Sequence, residues 1–301
     1  MTLQFQHIAK AIILFVCLFS SITAVGQQPF FKGGVRVGYG VQNLDWSIAG
    51  NTMGTDPNIY SELIWKQVSG INYGLDAAFK IAPQFDVLLE GNFMDTKSGK
   101  VRDTDYNGDN RTNSFYDERF SSDDGYFYNF RTSLRYALPQ LGIISPKILL
   151  GYEQIGNELF LLPLPDASQN LDLRTTYQTD WYGGQAALEL GFRYINFYGS
   201  ATYGFGLYDY KAKANWNLIE DFQQPVSFRH SALGMKHNGI LCLGYDITPT
   251  IAIELVGTYA DAFTKTGLDQ LYTRSRGELT TQFNGANMTH ASGSLGVSFQ
   301  F

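Results

Sequence analysis

Residues 126–138 read YFYNFRTSLRYAL, and their order decides the fold class. Tyr126, Tyr128, Phe130, Leu134, Tyr136 and Leu138 fall on one side of an extended chain. Asn129, Arg131, Ser133 and Arg135 fall on the other. Side chains alternate faces along a strand, so the segment carries one apolar and one polar surface. The same period recurs in WYGGQAALELGFRY (181–194), where Tyr182, Ala186, Leu188, Leu190, Phe192 and Tyr194 oppose Gln185, Glu189 and Arg193. In INYGLDAAFKIA (71–82), Ile71, Tyr73, Leu75, Ala77, Phe79 and Ile81 oppose Asn72, Asp76 and Lys80.

Soluble sandwiches alternate as well, so the period alone leaves two classes open. The alternating runs, however, extend over about 15–20 residues, whereas soluble strands have a mode of about 5–6. Tyr and Phe gather near their ends, as in the girdles of outer-membrane barrels. The chain also closes on GSLGVSFQF (293–301), an alternating strand with a terminal aromatic. Together these features predict an all-β fold, a ten-stranded antiparallel transmembrane β-barrel.

The strands are expected near 33–47, 59–81, 84–100, 120–138, 144–162, 174–194, 197–216, 229–247, 250–263 and 286–301. Short connections at 82–84, 139–145, 195–196 and 248–250 alternate with long ones at 48–58, 101–119, 163–173, 217–228 and 264–285. In such barrels short turns face the periplasm and long loops face outward. A ten-stranded barrel is narrow, closer to a side-chain-filled lumen than to an open pore. The polar residues of that lumen, among them Arg131, Arg135, Glu189, Arg193, His230, Asp246 and Glu254, are expected to satisfy one another.

The 301-residue chain begins with Lys10, an apolar run from Ala11 to Phe19, and small residues ending in Ala24 and Gly26. That order predicts a signal peptide over 1–26, removed before Gln27, and one barrel domain over 27–301. Removal takes Lys10 and leaves 21 of the 22 basic residues against 28 acidic ones. The net charge of −6 gives no support for a nucleic-acid partner. Cys242 is the only cysteine after the leader, which excludes a cysteine metal cluster, and no cofactor is expected.

One long connection contains VRDTDYNGDN (101–110). Asp103, Asp105, Asn107 and Asp109 around Gly108 resemble the start of a calcium loop, but Ser114 stands where that loop needs a bidentate Glu. Asp103 and Asp105 read equally as a carboxylate pair or as a solvated acidic loop.

The chain resembles the omptins, ten-stranded outer-membrane surface proteases. SELIWK (61–66), SGKVRDTDY (98–106), GYDITPTIAIELVGTYADAFTKTGLDQLY (244–272) and SGSLGVSFQF (292–301) carry the resemblance, in the family's order and spacing. It implies an outer-membrane location in a diderm bacterium, extracellular loops, and contact with membrane lipid, including lipopolysaccharide. It also implies an aspartic-type endopeptidase in which an Asp-x-Asp pair and an Asp-x-His pair hold the attacking water. Asp103 and Asp105 match the first pair. The places of the second fall on Asn215 and Asn217, and Lys213 stands where an acidic residue selects basic substrates. Asn takes up no proton at neutral pH, so a catalytic site would need a shifted base such as His230, with His237 also on that strand. Two functions follow for the mouth: hydrolysis of a peptide substrate, or non-catalytic binding of a ligand or partner through the loops. A narrow channel is a third.

Overall fold

The computed structural model describes residues 30–164 and 172–301. The expected signal peptide, residues 1–26, lies outside the described residues, as does most of connection 163–173. Ten strands close a ring: β1 (Phe31–Ile48), β2 (Ser61–Ala82), β3 (Phe85–Gly108), β5 (Gly125–Ala137), β6 (Ile144–Leu161), β7 (Thr175–Tyr194), β8 (Phe197–Asn215), β9 (Phe228–Asp246), β10 (Ile251–Thr264) and β12 (Gly277–Gln300). Each pairs antiparallel with the next, and β12 returns to β1 with Val297 opposite Val35. No sheet edge is left at the girdle, which is what lets a β structure stand in hydrocarbon.

The expected faces are those observed. On β2, Leu75 is 55% exposed on the outside, while Asn72 is 1% exposed on the inside. Val37, Leu89, Leu134, Leu188, Leu243 and Leu255 continue the outer apolar band. Tyr39, Phe93, Tyr152, Tyr203 and Tyr259 rim that band toward one end; Phe192, Tyr194, Phe197 and Tyr245 rim it toward the other.

Inside the girdle, charges meet in pairs. Glu153 is fully buried and receives Arg131 Nη2 at 3.0 Å, together with Lys236, Asn129 and the Tyr208 hydroxyl. Nearer the short-turn end, Glu189 lies 2.6 Å from Lys147 and 3.6 Å from Arg135, and Glu254 lies 2.7 Å from Lys32. A cavity of about 210 Å³ remains between these groups, lined by Arg131, Glu153, Lys236, Asn238 and His290 among others.

Two of the long connections are not loops. The region 101–119 continues β3 to Gly108, turns through Asp109–Arg111, and returns as β4 (Thr112–Ser121). The region 264–285 forms β11 (Gly267–Thr273), which pairs with the first part of β12 and with β9. Positive φ at Asn110 and Gly277 makes the two reversals. At Gly99 a Cβ would lie 2.4 Å from Ser122 O, so glycine permits the close pass where β4 gives way to β5. These hairpins raise a β collar above the girdle on one end, here called the hairpin end.

Aromatic side chains fill the collar. Trp46 from β1 stacks on Tyr177 from β7 at 5.5 Å, and Trp65 from β2 stacks on the same ring at 5.5 Å. Tyr210 from β8 stacks on Phe283 from β12 at 5.8 Å. Rings from opposite walls thus meet inside the barrel and close it above the charged lumen.

Candidate functional site

Asp103 and Asp105 stand on β3 in the collar. Val101, two residues earlier, packs in the aromatic core, so by the two-residue period both carboxylates point inward. Their neighbours across the ladders are Leu63 and Ser61 on β2, and Glu118 and Tyr116 on β4. Directly opposed residues share a face. Asp103, Asp105, Glu118 and Tyr116 therefore form one inward patch at the top of the plug.

Among the described residues no cation is paired with Asp103 or Asp105. Asp103 is only 5% exposed, and among the described residues no side chain donates a hydrogen bond to its carboxylate. Burial pushes its pKa well above the usual carboxylate range, and the charge of Asp105 beside it pushes the same way. Asp105 is also raised by burial, against an opposing hydrogen bond from Ser61. Tyr116 is raised by burial and by the charges of Asp103, Glu118 and Asp105. The basic residues of the hairpin turn elsewhere. Arg102, on the outer face, bonds Asp117 through Nε at 2.7 Å and Nη2 at 2.6 Å, and Arg111 folds onto Glu62. Asp109 accepts a hydrogen bond from the Asn58 backbone N–H at 2.8 Å, so it closes a turn rather than converging with Asp103 and Asp105.

His230 lies in a different part of the collar. It points inward from β9, and its side chain has no exposed surface. Nδ1 is 2.9 Å from the Tyr177 hydroxyl, which in turn is 2.8 Å from the Tyr210 hydroxyl. Nε2 is 3.1 Å from Asp269 Oδ1, although the ring nitrogen is not aimed squarely enough for a full hydrogen bond. Thr281 donates to the other carboxylate oxygen at 2.9 Å. The rings of Trp46, Phe228 and Phe283 pack against the imidazole at 4.7, 5.1 and 4.3 Å. Trp46 is also the ladder neighbour of Leu63, and Leu63 the ladder neighbour of Asp103. Leu63 and Trp46 thus stand between the carboxylate pair and the imidazole.

Asn215 and Asn217 join neither group. On β8 the inward residues are Tyr208, Tyr210, Ala212 and Ala214, so Lys213 faces outward; Asn215 stands on the same side, half-buried with its Oδ1 enclosed. Asn217 ties down a loop: its Oδ1 accepts from Thr175 Oγ1 at 2.9 Å and the Arg174 N–H at 3.2 Å, while Nδ2 donates to Asp172 O at 3.0 Å. Arg229, next to His230, is turned outward with Lys213 opposite it.

Sequence reading passed over Asp269 and Tyr177 as partners of His230, and Glu118 and Tyr116 as neighbours of the Asp pair. The alternation of Tyr116, Glu118 and Phe120 was the available signal for the second set. Nothing comparable marks Asp269: in GLDQLYT (267–273) Leu268 and Tyr272 fall on one face and Leu271 on the face of Asp269, so the period separates no polar face from an apolar one.

The fold resembles that of the outer membrane protease OmpT from Escherichia coli, with 12% identity, 94% of this chain and 99% of that chain covered, and a TM-score of 0.70. The outer membrane protein OprG from Pseudomonas aeruginosa has 11% identity, with 92% of this chain and 99% of that one covered, and a TM-score of 0.36. For the translocator domain of the autotransporter NalP from Neisseria meningitidis the values are 9%, 99%, 96% and 0.37. At such identities the likeness to OmpT is one of fold. No curated protein matches the sequence. The profile of the Protochlamydia outer membrane protein family matches residues 34–301, so the chain is an outer-membrane protein and belongs to that family.

Proposed function

We propose that this protein is a non-catalytic surface barrel whose hairpin end faces outward and binds a cationic segment of a partner protein. The observation that carries the reading is the uncompensated carboxylate row Asp103, Asp105 and Glu118 on the inner face of the β3–β4 hairpin. Asp103 is buried and Asp105 half-buried, while Glu118 is exposed on the same face; burying unpaired charge is costly, and a bound cation relieves that cost for the two aspartates. Diffusion through the barrel is not favoured, because aromatic rings and ion pairs fill the lumen.

Hydrolysis is the second reading, and the carboxylate pair itself favours it, since two coupled carboxylates with raised pKa values suit acid–base chemistry. His230 argues against the expected mechanism. A general base must come within hydrogen-bond reach of the proton it removes, and this imidazole is enclosed by rings and held by Tyr177 and Asp269.

Purified protein, folded in detergent with lipopolysaccharide, is incubated with Lys-rich and Glu-rich peptides of equal length. The proposal expects salt-sensitive binding of the Lys-rich peptides, weakened by Asp105→Asn and Glu118→Gln, with every peptide recovered intact by mass spectrometry. Cleavage that disappears in Asp103→Asn would establish the peptidase reading instead.

A further inference from the structure

The luminal cavity has two unlike walls. Glu90, Arg131 and Glu153 are neighbours across the β3, β5 and β6 ladders and form its charged wall. Facing them across the ring, Asn238, Ala260 and His290 stand side by side on β9, β10 and β12. Among the described residues the lining holds five Lys or Arg and five Asp or Glu, and every one is paired within that set. The neutral wall is not paired. Asn238 is 5% exposed, and neither its Oδ1 nor its Nδ2 has a hydrogen-bond partner among the described residues. His290 Nε2 and, on the charged wall, Arg131 Nε are likewise without one. Small neighbours keep the amide in this state: a Cβ on Gly204, its ladder partner on β8, would lie 2.7 Å from Asn238 Oδ1, and Ala260 on the other side has no polar side-chain atom. On the plug side, Phe127 reaches across from β5 and stacks on His290 at 4.3 Å. Leu88, Leu149, Ile155, Ile240, Val256 and Met288 complete the lining with apolar surface.

We propose that the lumen contains a binding site for a small uncharged polyol, anchored by Asn238. Charge balance selects the occupant: a net charge would enter a closed set of ion pairs with no partner of its own. Leaving buried donors and acceptors unmade is costly, so the Asn238 amide calls for a ligand that offers both roles. A hydroxyl donates and accepts, so adjacent hydroxyls satisfy Oδ1 and Nδ2 together, and a further one accepts from Arg131 Nε. The cavity of about 210 Å³ has the volume of roughly seven waters. Each water needs two to four polar partners, and the apolar part of the lining supplies none. A molecule with hydroxyl edges and C–H faces matches both parts, as in small-molecule sites that combine apolar walls with a few placed polar groups. The aromatic plug separates this site from Asp103 and Asp105, and the proposal does not depend on how the mouth is read.

The test is ligand-observed NMR on the full barrel in nanodiscs, with erythritol as the polyol and acetate and methylammonium as charged probes. Erythritol is expected to bind saturably, with a Kd on the order of 1–10 mM, and both ions at least about tenfold more weakly. Asn238→Leu nearly conserves volume while removing both polar atoms, and should weaken erythritol about tenfold. Gly204→Ala displaces the amide without changing its chemistry and should weaken binding in the same direction, which keeps the site testable if Asn238→Leu does not fold. Excess Lys-rich peptide should leave erythritol binding unchanged, since the two sites are separate. Absence of saturable erythritol binding would leave the cavity to water and overturn the proposal. Equal affinity of the wild type and the folded lumen variants, displacement by the peptide, or acetate or methylammonium binding as tightly as erythritol would overturn it as well.

Discussion

His230 Nε2 lies 3.1 Å from Asp269 Oδ1; both side chains are buried, and Trp46 and Phe283 pack on the imidazole. A histidine beside a carboxylate is the raw material of a general base. Here the pair joins strands instead: β9 supplies His230, β11 supplies Asp269, and Tyr177 reaches in from β7. Replacing His230 with Ala leaves a buried carboxylate and a buried hydroxyl short of partners. The expected cost is about 2–4 kcal/mol of stability, read from urea unfolding in detergent, with peptide binding at the mouth retained.

The aromatic plug should behave as a core. Trp46 contacts Tyr177, Phe228 and His230. Trp46→Ala is expected to cost about 3–5 kcal/mol, seen as a lower temperature for loss of the folded band on semi-native gels.

Glu153 sustains the charged lumen. Glu153→Ala strands Arg131 and Lys236 without their shared carboxylate, at an expected cost of about 3–5 kcal/mol. Adding Lys236→Met removes one of the stranded cations and should recover part of the loss, measured by the same unfolding curves. Planar-bilayer recordings of the wild type should stay near baseline.

Peptide binding should depend on pH in a definite direction. Burial raises the pKa values of Asp103 and Asp105 above 3.8, so the folded state holds protons that the unfolded chain releases. Their contribution to stability is therefore present at low pH and lost as pH rises through the raised values. A cationic ligand needs the ionised forms, so affinity rises through that same window. Titrating affinity between about pH 4 and pH 8 should show the rise, and Asp103→Asn should remove its upper part.

Much of this architecture was legible in the residue order. The alternation of Leu75 with Asp76, or of Phe130 and Leu134 with Arg131 and Ser133, assigns faces directly, because lipid and lumen demand opposite chemistry. The hairpins were not legible as strands. In TNSFYDERFS (112–121) both faces carry polar or charged residues, since both meet solvent above the girdle, and pairing with β3 rather than burial holds β4 in place. The site followed the same division. Asp103 and Asp105 were visible as a pair, and His230 as an inward polar residue. The Leu63 and Trp46 side chains between them depend on the registers of β1, β2 and β3, and periodicity within one strand does not report register between strands.

The most direct measurement is calorimetric titration of a Lys-rich extended peptide into the folded barrel, repeated with the Asp103→Asn, Asp105→Asn, Glu118→Gln triple variant. Removing three carboxylates from one cationic ligand site should weaken binding at least about a hundredfold at low salt, with the unfolding curve confirming an intact barrel. Equal affinity of wild type and triple variant, or no binding by the wild type, would contradict the account.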